Sequence, residues 1–321
     1  MSTRSKKELI WGIGFFLFVL ILIQIIYSFG TYLLKFNNLP VKSIVATTTL
    51  PVVEIEIAKN IKLAFVGDIM LDRGVKSSVY KNFNGDYTEL FSKVKIRLQN
   101  YDFLAGNLEG PVSDKGENGG SIYSFRMEPV VLPALAEAGF DSFSLANNHI
   151  LNYGFLALSD TRKRLEENNL TYLGQKPVIL GGVSIMTLPF NEFANLDLEQ
   201  MKNEIVLAKQ TNDLIIAYFH FGEEYQTEPN EYQRNVVKLA IDSGADLVVG
   251  SHPHVVQTLE KYKNVWIAYS LGNFIFDQYF SPETMSGGLL EVEINPQTKK
   301  IEKVGLKKVT LNKYYQVESI E

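Results

Sequence analysis

Beyond residue 60 the chain alternates between short apolar runs that break into polar residues and longer segments with apolar positions three and four apart. Short runs bounded by turn residues predict buried strands, and the longer periodic segments predict amphipathic helices. Strands are predicted at 61–66, 102–105, 142–145, 183–188, 214–219 and 247–249, with helices at 87–98, 128–138, 155–168, 198–209 and 231–243. Gly139 and Gly244 stand where C-terminal helix stops belong. From residue 255 onward the helical spacing disappears. Strands are predicted there at 265–269, 288–294 and 303–310, with turns at Asn264 and Asn295-Pro296. Strand–helix alternation followed by a strand-rich end predicts an α/β layered domain with an added sheet.

The first sixty residues follow a different pattern. Residues 1–8 are a short basic tail carrying Arg4, Lys6 and Lys7, and 9–34 run without a charge. A membrane span needs roughly 20 apolar residues, so 9–34 predicts one N-terminal transmembrane helix. A cleaved signal peptide is the competing reading. Its apolar region would be about 7–15 residues long and would end at a small-x-small site, and neither holds here. The basic flank predicts a single-pass protein of the cell membrane, with a cytoplasmic N-terminus and an extracytoplasmic main domain. Residues 35–59, punctuated by Pro40, Pro51 and a run of threonines, read as a linker with room for a stray strand at 52–57. The folded domain is expected over 60–313, leaving 314–321 as a tail.

Composition narrows the classes of function. With 321 residues and 46% hydrophobic content the chain is long enough for a sizeable core. A net charge of -5 supplies no basic footprint for nucleic acid. The chain has no cysteine, which excludes thiolate ligands and cysteine nucleophiles and suits an exported protein.

The predicted strand ends carry the candidate chemistry: Asp68, then Glu109, then Asn148 with His149, then His220, then His252 with His254. These are all four histidines of the chain. Any one alone is more often a hydrogen-bonded core residue. Ligands gather outside the carboxyl ends of strands in α/β sheets, so the group together predicts a polar site. In an extended segment His252 and His254 would face one side. Such N/O donors suit Mn, Fe, Zn or Mg better than copper(I) or a thiolate zinc. Arg73 and Arg126 are candidate substrate-binding residues for an anionic group, with a surface or salt-bridged arginine as the alternative for Arg126. Glu224 stands either behind His220 or free on the surface, and Asn273 either holds a loop or faces the site.

Six motifs in order carry a resemblance. They are Gly67-Asp68-Ile69-Met70-Leu71-Asp72-Arg73, Asn107-Leu108-Glu109-Gly110, Ala146-Asn147-Asn148-His149, His220-Phe221-Gly222-Glu223-Glu224-Tyr225, Gly250-Ser251-His252-Pro253-His254-Val255-Val256-Gln257 and Ser270-Leu271-Gly272-Asn273-Phe274. Together they resemble the CapA family of poly-γ-glutamate capsule biosynthesis proteins, which is similar in turn to the calcineurin-like metallophosphoesterases. The resemblance implies a four-layer αββα sandwich with two divalent metal ions, where spacing alone gives only α/β. It implies metal ligation by Asp68, Glu109 (bridging), Asn148, His220, His252 and His254, with His149 as the general acid. It also implies capsule biosynthesis at the membrane, with an anionic polymer as substrate and membrane capsule-synthase subunits as partners. The function it implies is a hydrolase of phosphoesterase type or, alternatively, a non-catalytic accessory subunit of a synthase or export complex. A sugar-binding module is a further option, which calls for an exposed aromatic platform. Three positions depart from the expected patterns: Met70 replaces a histidine and Glu109 an aspartate of the phosphoesterases, and Asn152 replaces the aspartate of the CapA family's His-x-x-Asp-Tyr-Gly continuation.

Overall fold

The computed structural model describes residues 19–28, 30–31 and 59–321. Residues 19–28 and 30–31 are helical with exposed side chains. Among the described residues no helix is long and apolar enough to cross a membrane. The rest of the segment expected to be an anchor, most of the expected linker and the stray strand at 52–57 lie outside the described residues.

The main unit runs β1 (Ile61–Ile69), α1 (Arg73–Asn82), a 3-10 turn (Tyr87–Leu90), α2 (Lys95–Leu98), β2 (Phe103–Leu108), α3 (Val131–Ala138), β3 (Ser142–Ser144) and α4 (Gly154–Glu167). It continues through β4 (Thr171–Tyr172), β5 (Val178–Leu180), β6 (Val183–Asn191), α5 (Leu198–Lys209), β7 (Leu214–His220), α6 (Glu231–Asp242) and β8 (Leu247–Ser251). β9 (Leu259–Tyr262), β10 (Val265–Ala268), β11 (Asn273–Ile275), β12 (Ser286–Asn295), β13 (Lys300–Leu311) and β14 (Val317–Ile320) complete it.

Two sheets form. The larger has the order β14-β13-β12-β1-β2-β3-β4, with β11 also on β1, and the smaller the order β5-β6-β7-β8-β10-β9. Period-two alternation decides how they stack. On β1, Leu63 and Phe65 enter the core between the sheets, while Ala64 and Val66 enter a second core under the helices that cover the larger sheet. On β7, Ile216 and Tyr218 face the shared core, while Ile215, Ala217 and Phe219 pack on Met201 and Ile205 of α5 and on Val236, Val237 and Ala240 of α6. The layers therefore run helix, sheet, sheet, helix.

Three expectations are corrected. The helix expected at 87–98 is two isolated turns, and the real helix lies earlier, at α1. The expected tail, 314–321, instead contributes β14, which pairs antiparallel with β13 and brings Ile320 against Val309. Residues 252–254 are not extended: His252 and His254 have φ of 101° and 59°, so a left-handed turn after β8 gathers their rings.

β1, β2, β3 and β4 are mutually parallel, as are β6, β7, β8 and β10. Their carboxyl ends therefore collect at one edge of the sandwich. Close backbone approach fixes that edge. A side chain on Gly67 would place its Cβ 1.8 Å from the carbonyl oxygen of Gly272, against which the Asp68 N–H donates at 2.9 Å. Gly250 is pinned in the same way, 2.0 Å from the Tyr269 carbonyl oxygen.

Candidate metal centre

At that edge the strands deliver a buried polar cluster. Asp68, Glu109, His220, His252 and His254 are all at most 4% exposed. Strand register sets Asp68 beside Asn107 on one neighbour and Asn273 on the other, and His220 beside Ser251. Asn107 is the residue that holds the acids: its Nδ2 donates to Asp68 Oδ1 at 2.8 Å and reaches Glu109 Oε2 at 3.4 Å. Its Oδ1 accepts from Asn147 Nδ2 at 3.0 Å, which fixes the amide's orientation.

Surrounding acceptors set the imidazole tautomers. Asn273 donates its Nδ2 to the Thr284 carbonyl oxygen at 2.9 Å, so its Oδ1, 3.1 Å from His254 Nδ1, must accept. Asp68 Oδ2 lies 3.1 Å from the same nitrogen. His254 therefore carries its proton on Nδ1 and turns a lone pair on Nε2 toward Glu109 Oε1, 3.7 Å away. Asn152 does the same for His149. Its Oδ1 accepts from the Phe125 backbone N–H at 2.9 Å and from His149 Nδ1 at 3.0 Å, leaving His149 Nε2 facing Glu109 Oε1 at 3.7 Å. The amide at 152 thus fills the acceptor role of the expected carboxylate, without its charge. The ring of Phe125 stacks on His149 with centroids 4.0 Å apart. His220 meets Asn148 Oδ1 through Nε2 at 2.9 Å and Ser251 Oγ through Nδ1 at 3.0 Å.

Electrostatically the cluster is costly without a cation. Burial, and then the Asp68 carboxylate beside it, push the Glu109 carboxyl well above the ordinary carboxylate range. Burial holds His220 well below the usual imidazole value, pushes His252 down to about 3 and lowers His149. Neutral rings keep lone pairs. Among the described residues, Glu109 Oε1 and His252 Nδ1 are buried with no hydrogen-bond partner. Orphaned buried polar atoms of this kind call for an explanation, and a bound cation supplies one. Two groups of side chains offer it ligand atoms within 4.8 Å of one another: Asp68 with Glu109 and His254, and Glu224 with His252 and His254. The donor set fits a divalent ion that accepts nitrogen and oxygen.

The remaining candidates lie elsewhere. Met70 is fully buried in the core outside the larger sheet and contributes nothing to the cluster. Arg73 is forked onto Asp277, Nε to Oδ2 and NH2 to Oδ1 both at 3.1 Å, and its guanidinium lies over the ring of Phe125 at 5.2 Å. Arg126 stacks over Tyr153 at 4.2 Å. Among the described residues neither arginine shares a hydrogen bond or ion pair with the cluster, because each cation already has a local partner. Asn107, Asn147, Ser251 and the ring of Phe193, 4.3 Å from that of His252, were not singled out by sequence reasoning. Asn107 is two residues from Glu109 and Asn147 adjoins Asn148, and both stand inside motifs that carry the resemblance, the signals that bore on them.

A layered α/β domain whose parallel strands end in a buried nest of imidazoles, carboxylates and amides is a protein organised around a polar, metal-competent centre. The profile of the bacterial capsule synthesis protein family, PGA_cap, matches residues 62–178 and 184–278, and the chain belongs to that family. It is 36% identical over 252 residues to the capsule biosynthesis protein CapA of Bacillus anthracis, covering 68% of this chain and 61% of that protein. It is 31% identical over 242 residues to the PGA biosynthesis protein CapA of Bacillus subtilis (strain 168), covering 67% and 63%. The alignments thus span somewhat under two thirds of the length of these relatives. Among solved structures, a phosphatase of Mycoplasma pneumoniae is similar with a TM-score of 0.49 at 16% identity, covering 78% of this chain and 94% of that one.

Proposed function

We propose that the chain is a metal-dependent hydrolase of phosphoesterase type that acts on an anionic capsule polymer or its precursor, outside the membrane to which residues 9–34 anchor it. The observation that carries this is the pair of buried, unpartnered polar atoms, Glu109 Oε1 and His252 Nδ1, beside imidazoles that burial keeps neutral. Asp68, Glu109 and His254 would hold one divalent ion, and Asn148, His220 and His252 a second, with Glu109 shared. Such ions supply Lewis-acid polarisation of a phosphoryl oxygen and lower the pKa of water. His149 has its Nδ1–H tied to Asn152 and its Nε2 facing the centre, so in the protonated form it gives a proton from Nε2 to a leaving oxygen. Phe125 stacks on that ring and limits its rotation. Asn107 keeps both carboxylates in place throughout.

The test is Mn(II)-dependent cleavage of bis(p-nitrophenyl) phosphate by the purified chain, with Asp68→Ala and His252→Ala expected to abolish it. A second role, as a non-catalytic subunit of a membrane capsule synthase or exporter, draws support from Met70, which removes a ligand from β1. It requires that capsule formation survive Asp68→Ala in cells, whereas the hydrolase role requires that it fail. Recovery of the protein in the soluble fraction would count against the anchor.

A further inference from the structure

Met70 stands two residues past Asp68 but is buried in the outer core, so β1 gives the Asp68, Glu109 and His254 group no further ligand. A carboxylate reaches His254, and His252 beside it, from the loop after β7. Glu224 offers an oxygen within 4.8 Å of nitrogens of His252 and His254. Its position is built rather than incidental. The Tyr225 N–H donates to the Pro253 carbonyl oxygen at 2.8 Å, which stitches the Glu224 turn directly onto the His252–His254 turn. Tyr225 is held left-handed at φ 64°, and Gly222 N–H donates to Glu192 Oε2 at 2.8 Å. The Tyr225 hydroxyl accepts from Gln278 Nε2 at 3.1 Å, and Gln278 in turn accepts from Asn273, the partner of His254. Among the described residues no Lys or Arg pairs with the Glu224 carboxylate. An exposed acid fastened against two buried imidazoles, and not neutralised by a Lys or Arg, is placed to act as a third donor beside them.

We propose that Glu224 is a metal ligand of this centre, supplying from the loop the donor that Met70 does not supply from the strand. The inference rests on the metal-dependent role proposed above. Because Glu224 is exposed, the ion it helps to hold is open to solvent on the side of this loop.

The test is calorimetric titration of the chelator-stripped full chain with Mn(II), for wild type, Glu224→Gln and Glu224→Asp, with metal-free thermal unfolding as the control for folding. Glu224→Gln is expected to leave the metal-free Tm unchanged and to weaken one Mn(II) binding step at least about tenfold, the loss typical even of outer partners of metal ligands. Glu224→Asp, which keeps the charge, recovers part of that loss. Mn(II) affinities within about twofold of wild type in Glu224→Gln overturn the proposal. So does a lowered metal-free Tm with unchanged Mn(II) affinity, which would assign Glu224 to the fold, and so does a wild type that takes up no Mn(II). If wild type takes up Mn(II) but cleaves no phosphodiester, the hydrolase role falls while the titration still decides the role of Glu224.

Discussion

Glu109→Gln should stabilise the metal-free protein and remove its response to metal. Glu109 is fully buried, its Oε1 has no hydrogen-bond partner, and its nearest acidic neighbour is the equally buried Asp68. An unsatisfied buried polar group costs about 1–3 kcal/mol, and more when charged. The amide removes the charge, keeps the shape and brings a donor that can face Asp68. For a unit of residues 57–321 each kcal/mol is worth about 2–4 °C, so the metal-free Tm should rise by about 2–12 °C. The size of the gain depends on pH. Glu109 has a raised folded pKa, so its folded form is favoured while protonated, and that stability is lost as pH rises through the folded value. The gain from Glu109→Gln is therefore largest on the alkaline side and shrinks on acidification. Scanning fluorimetry of both proteins, with chelator and then with Mn(II), reads both effects. A metal-free Glu109→Gln less stable than wild type, or one that Mn(II) stabilises as strongly, would refute the reasoning.

Three further outcomes are expected. The metal-free Tm should fall on acidification below about pH 6.5. The depressed imidazoles of His149, His220 and His252 are protonated first in the unfolded chain, and Glu109 offsets about one of them. Even the two most deeply buried rings, His220 and His252, set against Glu109 leave a net of at least about one proton, or at least about 1.4 kcal/mol per pH unit, with His149 adding to it, and a flat profile by calorimetry would contradict the burial of these rings. Asn152→Asp keeps the acceptor for Phe125 N–H but puts a charge beside His149 Nδ1, so the upper limb of a pH–rate profile should move up by about 1–3 pH units; an unmoved limb would show that His149 is not the acid. Gly67→Ala forces a Cβ onto the Gly272 carbonyl and should cost at least about 1–3 kcal/mol in chemical denaturation, unless the edge of the sandwich is looser than it stands.

Much of the layering was legible because strands buried on both faces are continuous apolar runs and amphipathic helices are not. Helix 198–209 and the glycine stop at Gly139, which has φ of 103°, follow from local pattern alone. Helix α1 was not legible: Val75 and Val79 are its only buried residues, too sparse a stripe to stand out among Arg, Lys and Ser. β14 was hidden because its four residues make sense only beside β13, whose pairing is long-range. The site divides in the same way. A charged or imidazole side chain at the end of an apolar run is conspicuous, and Asp68, Glu109, His220, His252 and His254 do meet. What sequence does not carry is which amide faces which acid, so Asn107 looked no different from its neighbours. Nor does it show that the partner of Arg73 is Asp277, 204 residues away.

The most direct measurement is phosphodiester turnover by the purified full chain as Mn(II) is added and then chelated, in wild type, Asp68→Ala and His252→Ala. Turnover that appears with Mn(II), disappears with chelator and is absent from both variants is the predicted result. Turnover that survives Asp68→Ala, or none under Mn, Fe, Zn or Mg, would contradict a hydrolytic metal centre at these strand ends.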